Sequence, residues 1–465
     1  MSTITSGDRA LLSRLTKGLG AHGYSQSVQI FIRLAEVPLL LGFWGTQLYG
    51  EWLMLAAIPA YLAIADGGFA GAASREMSMR SGAGDRPGAL SIFQSTWKLL
   101  LLVSLGFGSL ALVAVETTPL HEWLGFKVMD PNTVKLVTLL LVAHVLVSFQ
   151  TGIVNGGFWC EGRYAMGEVL IATMYLMEFC GLALAVVLGG GPAKAAIGYL
   201  GGRIGGLFLM RLGLYRATPW LRYGWSFSTI GEVRRLARPA FASLAFPLGN
   251  ALNIQGMRLV VGLVIGPPAV VVYSTLRTLT RLAMQPSAII NRLLEPEMAL
   301  AYGGNRHDVF HNLFNRSCQV ALWFSVASCL ALGVAGEMVL GVWTHGKVAM
   351  DWPLYSLLLL GAAANSIWYT ALMAAYATNR YVRVALVYSA VYGGGAFVLA
   401  YIFAKFSGLV GVGLALLLSE TAMAPYVLLK TFRLTGESWA SWSSQVARPP
   451  WFLFQKMRDV SAVQS

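Results

Sequence analysis

Long apolar stretches recur along this chain at the length that crosses a lipid bilayer. A helix needs about 20 apolar residues to span the hydrocarbon core of a membrane. The chain is 56% hydrophobic and only 12% charged, whereas soluble domains carry about 25% charged residues. The sequence therefore predicts an all-α polytopic membrane protein with twelve transmembrane helices. The predicted spans are 20–43, 47–68, 91–115, 134–157, 165–188, 192–214, 239–263, 268–292, 317–342, 354–377, 381–404 and 408–431.

The distribution of basic residues between these stretches supports the same count of spans. Cytoplasmic loops of membrane proteins carry the excess of Lys and Arg. Even-numbered loops and both termini of this chain are arginine-rich, whereas odd-numbered loops are nearly bare, and the first and seventh loops, 46–47 and 264–267, contain no Lys or Arg. The pattern predicts that both termini are cytoplasmic. The net charge of +13 is spread over several loops rather than gathered in one domain, so no nucleic-acid partner is predicted.

The two halves of the chain resemble each other. A shift of 221 residues places Gly45 on Gly266, and it places the Glu-Met pair at 76–77 on the Glu-Met pair at 297–298. Because each half contains six predicted spans, the halves have the same orientation and form parallel repeats around a central cavity. The predicted organisation is a cytoplasmic N-terminal segment at 1–19, a six-helix lobe at 20–215, a cytoplasmic interfacial linker at 216–238, a second six-helix lobe at 239–432 and a cytoplasmic tail at 433–465.

Sequence motifs of soluble enzymes and metal proteins are absent from the chain. It contains no GxxxxGK[ST] phosphate loop, no HExxH and no nucleophile elbow. The four cysteines show no CxxC spacing, so neither a metal site nor a disulfide framework is predicted. No cofactor is expected, and the protein is predicted to be a transporter rather than an enzyme. Without an ATP motif, transport would draw on a proton or sodium gradient, or on the gradient of the cargo itself.

Ionisable residues inside the predicted spans are the strongest functional signal. Charges at bilayer mid-depth are costly, so they usually line a cavity or pair with one another. The central arginines are Arg33, Arg203, Arg258, Arg277 and Arg281, and the acids are Glu36, Glu178 and Glu420, with Asp66 near the end of the second span. Helical spacing adds a predicted polar lining made of Gln26, Gln29, Asn250, Asn253 and Gln285.

Two acid–arginine pairs also have a purely structural interpretation. Glu178 and Arg203 are predicted at similar depth on adjacent antiparallel helices, where an ion pair would neutralise both. Arg33 and Glu36 are three residues apart on one helix face, so they can neutralise each other. For these pairs the sequence leaves both interpretations open.

The other charges divide between helix ends and a cavity. Arg258 can reach the outer interface through its long side chain, and Asp66 can close a helix-to-loop turn before the glycines at 67–68. Arg277 and Arg281 have no acid within one turn of their own helix. Binding of an anionic cargo is therefore the favoured interpretation for these two arginines.

Several stretches resemble one superfamily of membrane transporters. They are "YGEWLMLAAIPAYLAIADGGFAGAASREM" at 49–77, "GRYAMGEV" at 162–169 and "NRYVRVAL" at 379–386. Together with the repeat and the length, they resemble the polysaccharide-transporter branch of the multidrug/oligosaccharidyl-lipid/polysaccharide (MOP) exporter superfamily, over roughly residues 20–432. The lipid II flippases of the same superfamily usually have more helices than the twelve predicted here.

The resemblance implies a MATE-like fold and a flippase for undecaprenyl-pyrophosphate-linked oligosaccharide units, used to make O-antigen or exopolysaccharide. It also implies a bacterial inner-membrane location, contact with membrane lipid, a monomeric protein, and work beside a polysaccharide polymerase and a chain-length regulator. Arginine grips phosphate oxygens with paired hydrogen bonds. On this reading the five central arginines bind the pyrophosphate.

Further roles follow from the same cargo. Tyr273, Trp368 and Asn365 would contact the sugars. The buried carboxylates are candidates for coupling to a proton or sodium gradient, because a carboxyl group can exchange an ion as a cavity opens to each side. The alternative function is an ion-coupled multidrug or organic-cation antiporter of the same superfamily, which requires a cavity dominated by acids. The arginine surplus favours an anionic cargo instead.

Overall fold

The protein is described by a computed structural model that covers residues 6–66, 68–242, 244–303, 305–378 and 382–450. Side chains are described in these ranges except at 6–19, 65–66, 238–239, 241–242, 292–297, 299–300, 303 and 382. The predicted N-terminal segment and tail therefore lie partly outside the described residues. The side chain of Asp66, a candidate for ion coupling, also lies outside them.

The chain divides into two compact units, Met1–Pro247 and Leu248–Ser465. The first unit contains α1 (Ser6–Ala60), α2 (Phe69–Gly82), α3 (Arg86–Thr117), α4 (Leu120–Trp123), α5 (Pro131–Cys160), α6 (Tyr164–Val187), α7 (Pro192–Ala217) and α8 (Ile230–Ala242). The division falls within α9 (Ala245–Ala251), and the second unit continues with α10 (Met257–Val264), α11 (Pro267–Arg281), α12 (Gln285–Gly303), α13 (His307–Thr344), α14 (Trp352–Ala377), α15 (Val382–Val387), α16 (Ala396–Thr435) and α17 (Trp439–Val446).

Over the described residues each predicted span is helical for most of its length, and glycines separate neighbouring spans that run on without a loop. Gly45 breaks α1 with φ 68° and ψ −176°, and Gly408 breaks α16 with φ 56°. Gly266, which the 221-residue shift pairs with Gly45, has φ 125° and separates α10 from α11. A positive φ is strained for residues with a Cβ, so glycine is the residue that permits these breaks.

Within the described residues, seven helical stretches are long and apolar enough by themselves to cross a membrane. Two of them, 20–64 and 383–435, contain the breaks at Gly45 and Gly408 and so account for two predicted spans each. The three remaining predicted spans correspond to α7, to α9 and α10, and to α11 and α12. They hold most of the candidate arginines, which lowers their mean hydropathy.

The core of the first unit lies between α2, α3, α5, α6, α7 and α8. Its buried side chains include Met77, Phe93, Phe158, Met174 and Met210. The predicted linker belongs to this unit and is bonded to α3. Gln94 accepts a hydrogen bond from the Phe227 amide at 2.9 Å and donates to the Arg222 carbonyl at 3.0 Å.

A fully buried carboxylate ties α1 to the segment before α5. Glu51 is 0% exposed, and its two oxygens accept hydrogen bonds from three consecutive backbone amides. The Lys127 amide lies at 2.8 Å, the Val128 amide at 3.0 Å and the Met129 amide at 2.8 Å. Hydrogen bonds to an ionised acceptor are the strong ones, so this carboxylate fixes the segment firmly.

The second unit contains two π-helical segments that are bonded to each other. They are Leu252–Gly256, between α9 and α10, and Tyr388–Gly395, between α15 and α16. Asn253 donates from Nδ2 to the Tyr392 carbonyl at 3.0 Å. Single π-helical turns inside longer helices occur frequently at functional sites. The side chains around Asn253 and Tyr392 are therefore candidates for a functional site.

Candidate functional site

A small cavity in the second unit collects three of the predicted charged residues. Arg277, Arg281 and Glu420 line it together with Tyr392, and apolar residues of α14 complete its wall. The cavity has a volume of about 40 Å³. A water molecule needs roughly 10–15 Å³ of such space, so the cavity has room for about two or three waters or one small hydrated ion.

Neutral groups hold Arg277 at the edge of this cavity. Its Nη1 donates to the Asn253 carbonyl at 2.9 Å. The guanidinium also donates to the Tyr273 hydroxyl and to Asn253 Oδ1. Asn253 is 0% exposed and lies in the first π-helical segment. The π turn therefore positions the amide that orients the arginine.

Glu420, which lines the same cavity, is held by its own set of partners. Its Oε2 accepts hydrogen bonds from Trp368 Nε1 at 2.9 Å and from Asn365 Nδ2 at 3.0 Å. Trp368 is 0% exposed, and its ring packs edge-on against Tyr392 with centroids 5.9 Å apart. In this conformation Trp368 and Asn365 thus solvate a carboxylate rather than present a free face to a sugar.

This arrangement gives the cavity a mixed but net basic character. Two guanidinium groups and one carboxylate meet on a volume that can exchange water. Such a set can accept a small anion on the arginines or a cation on the carboxylate. The described hydrogen bonds of Arg277 and Glu420 go to neutral groups, so a ligand can replace those partners without leaving a bare charge behind.

A second charged cluster lies in the first unit, and its two charged side chains contact each other directly. Arg203 of α7 contacts Glu178 of α6, with Nε 2.7 Å from Oε1 and Nη2 3.1 Å from Oε2. Their exposures are 7% and 2%. The structure thus places these two predicted residues in a direct ion pair. Burial of both charges together is what makes the pair tolerable in an apolar unit.

His144 of α5 completes this cluster. Its Nε2 lies 3.2 Å from Glu178 Oε2 and 3.1 Å from Arg203 Nε. Tyr199 stacks on the imidazole with ring centroids 4.0 Å apart, and the Arg203 guanidinium lies 5.5 Å from the Tyr175 ring centre. We call His144, Glu178 and Arg203 the α5–α7 triad.

The remaining predicted residues whose side chains the structure describes are exposed or partly buried. Arg33 is exposed on α1, where Gln29 donates to the Ser25 hydroxyl at 3.3 Å. Arg258 donates to Gln255 Oε1 at 3.1 Å. Asn250 is exposed in the second unit. Gln26, Glu36 and Gln285 are partly buried.

Sequence reasoning missed His144 and Tyr392. His144 is the one ionisable residue in the stretch 136–159, which is otherwise mostly apolar. The signal that could have identified it is its ionisable side chain near the middle of a predicted span. Tyr392 carries no such signal, because tyrosine is common in membrane helices.

Comparison with known proteins identifies the architecture. No protein-family profile and no curated protein matches the chain. Among solved structures, an inward-facing multidrug resistance MATE family transporter of the MOP superfamily matches with a TM-score of 0.71 at 17% identity, over 87% of this chain and 98% of that protein. The chain has the fold of these transporters.

Two further structures of this fold match over similar lengths. The lipid II flippase MurJ, in an inward closed conformation, gives a TM-score of 0.65 at 14% identity, over 93% of this chain and 95% of the flippase. A MOP superfamily transporter from Pyrococcus furiosus gives 0.65 at 15% identity, over 91% and 95%. The predicted all-α, twelve-helix MATE-like class is confirmed, and the solved structures that share this fold are transporters or flippases.

Proposed function

We propose that this protein is a flippase that moves polyprenyl-pyrophosphate-linked oligosaccharide units across the bacterial inner membrane, for O-antigen or exopolysaccharide synthesis. The observation that carries the proposal is the cavity in which Arg277 and Arg281 line one wall with a single carboxylate, Glu420. Guanidinium groups are the side chains best matched to phosphate oxygens. The shared fold with a lipid II flippase supports a lipid-linked cargo.

Cargo binding requires a wider cavity than the one described. A volume of about 40 Å³ holds a few waters and is too small for a pyrophosphate with its sugar. In the proposed cycle the two six-helix lobes rock between inward and outward access. In the open state, phosphate oxygens replace Asn253 and Tyr273 as acceptors for Arg277, so the arginine never loses its hydrogen bonds.

The setting of this activity follows the sequence expectations. Both termini face the cytoplasm, the lipid tail of the cargo stays in the bilayer, and the protein acts as a monomer beside a polymerase and a chain-length regulator. Of the candidate acids, Glu420 is the best placed for coupling to a proton or sodium gradient, because it lines the same cavity as the arginines.

The test is flipping of a fluorescent polyprenyl-pyrophosphate oligosaccharide in proteoliposomes. We expect the Arg277→Ala variant to flip at least about tenfold more slowly, since a charge-assisted hydrogen bond contributes about 1.5–3 kcal/mol. Arg277→Lys keeps the charge but loses the paired geometry, and it should restore only part of the rate. Lys405→Ala removes an exposed charge of the same unit and serves as the matched control. Native rates in Arg277→Ala would contradict the proposal.

A multidrug or organic-cation antiporter is the second candidate function, and Glu420 is the observation that favours it. A carboxylate on the cavity wall suits a cationic drug, and the multidrug MATE transporter shares the fold. The P. furiosus transporter is described as having a binding pocket of reverse polarity that suggests a different function, so pocket charge varies within this fold. Proton-driven efflux of organic cations, without flipping of the lipid-linked cargo, would establish this second function.

A further inference from the structure

One carboxylate oxygen of the α5–α7 triad, Oε1 of Glu178, has no hydrogen-bond donor. With the neutral imidazole protonated on Nδ1, His144 Nε2 accepts a hydrogen bond from the Arg203 Nε–H at 3.1 Å. Glu178 Oε1 lies 2.7 Å from Arg203 Nε but outside hydrogen-bond geometry, and it is buried without a hydrogen-bond partner. Buried polar atoms are almost always satisfied, so an orphaned carboxylate oxygen calls for an explanation.

One added proton would satisfy every group in the triad. Placed on His144 Nε2, it makes that nitrogen a donor to Glu178 Oε2, which lies 3.2 Å away. The Arg203 Nε–H, displaced by the new N–H, then turns to Glu178 Oε1. No bond between heavy atoms changes, one proton enters from water, and the charge of the triad rises from zero to +1.

We propose that the α5–α7 triad is a proton-binding switch, in which His144 carries the proton and Arg203 changes its hydrogen-bond partner. The surroundings contain few other groups that could take this role. Tyr199 of α7 stacks on His144, Tyr175 of α6 lies under Arg203, and Glu36 of α1 acts electrostatically on Tyr199. His144 touches both members of the ion pair.

The added charge gives the switch a consequence for transport. A net charge of +1 in an apolar unit is costly, so the protonated triad favours a conformation in which water or an anion reaches it. If the cargo is the pyrophosphate proposed above, proton uptake on the triad and anion binding support each other. This last link rests on the proposed function, whereas the proton site itself does not.

The decisive measurement is the imidazole ¹⁵N spectrum of the full-length protein in lipid nanodiscs, recorded from about pH 5 to 8, where histidines titrate. The chain contains six histidines, and the signal of His144 is assigned by its loss in His144→Gln. Should that variant fail to fold, the assignment uses the magnetisation transfer between His144 and the nearby Arg203 Nε in the native protein. We expect the His144 signal to change from neutral imidazole to imidazolium, with a concerted change at Arg203 Nε.

A His144 signal that stays neutral across this range would overturn the proposal. A transport assay adds a second readout: we expect the flipping rate of the native protein to change about tenfold between pH 5.5 and 8, and the rate of His144→Gln to change less than about twofold. His345→Asn is the matched control, because His345 is exposed and its φ of 52° is tolerated by asparagine. Titration of His144 without any flipping of the lipid-linked cargo would reject the proposed function and leave the proton site standing.

Discussion

In the first unit Arg203 and Glu178 touch at 2.7 Å, whereas in the second unit Arg277 and Glu420 line one cavity through separate neutral partners. The first arrangement is a closed ion pair in which each charge depends on the other. In the second arrangement, which we call open, the Asn253 carbonyl accepts a hydrogen bond from Arg277, and Trp368 donates one to Glu420. A closed pair resists a ligand, while charges held by neutral groups around a cavity can exchange those groups for one. The difference favours the second unit for the ligand binding proposed above.

The largest expected effect comes from deleting one arginine in each unit. Arg203→Met leaves Glu178 as a buried charge without its counter-ion, which typically costs about 3–5 kcal/mol. Arg277→Met leaves only neutral acceptors behind, at a cost of about 1–3 kcal/mol. Thermal unfolding of the purified proteins in one detergent should show the larger loss for Arg203→Met.

The double variant Glu178→Leu/Arg203→Met provides the control for this comparison. Replacing both members of a buried ion pair by apolar residues is often neutral, so the double variant should recover most of the lost stability. Equal losses for the two single variants, or no recovery in the double variant, would mean that the two units do not differ in the way described.

Glu51 provides a second test of the difference between the two units, because its carboxylate, like that of Glu178, is buried in the first unit. Glu51→Gln offers one acceptor oxygen in place of two, so at least one of the three backbone amides loses its partner. We expect a loss of about 2–4 kcal/mol, the contribution of one or two charge-assisted hydrogen bonds. Hydrogen exchange should accelerate at residues 127–129. The exposed Glu122, changed to Gln, should leave this exchange as it is in the native protein.

Glu420 should behave in the opposite way. In Glu420→Gln the amide oxygen still accepts from Trp368 and Asn365, so the stability should change by no more than about 1 kcal/mol. The charge on the cavity wall is lost, and with it the coupling to an ion gradient. Transport driven by an imposed gradient should fall about tenfold, while exchange of cargo without a gradient continues.

The matched control for Glu420→Gln is Glu116→Gln in the first unit. Glu116 is exposed and pairs with Lys135 at 2.7 Å on the surface, where such pairs contribute little. Its removal should affect neither stability nor gradient dependence. A Glu420→Gln protein that unfolds as readily as Arg203→Met would show that Glu420 is a structural charge like Glu178.

The sequence predicted the spans well because their signal is local. Apolar length locates the helices, and glycine marks Gly45 and Gly266 as the breaks between neighbouring spans. It also gave an ion pair of Glu178 and Arg203 as one of two open interpretations, since their depth follows from their place in adjacent spans, and the structure shows that pair. What it could not predict is which helix faces meet. His144 joins the triad because α5 packs against α7, 59 residues along the chain, and the π turn that holds Asn253 is bonded to Tyr392, 139 residues along the chain.

The smallest expected effect tests how loosely Arg277 is held. Tyr273→Phe keeps the ring, 5.6 Å from the guanidinium, but removes the hydroxyl that accepts one hydrogen bond. Asn253 still accepts the others, so we expect a loss of at most about 1 kcal/mol in stability. Because the freed guanidinium N–H can then bond a phosphate oxygen, inorganic pyrophosphate should bind up to about threefold more tightly by calorimetry. Weaker binding in Tyr273→Phe would mean that the hydroxyl orients Arg277 for its ligand, and that the second unit is more preorganised than an open arrangement implies.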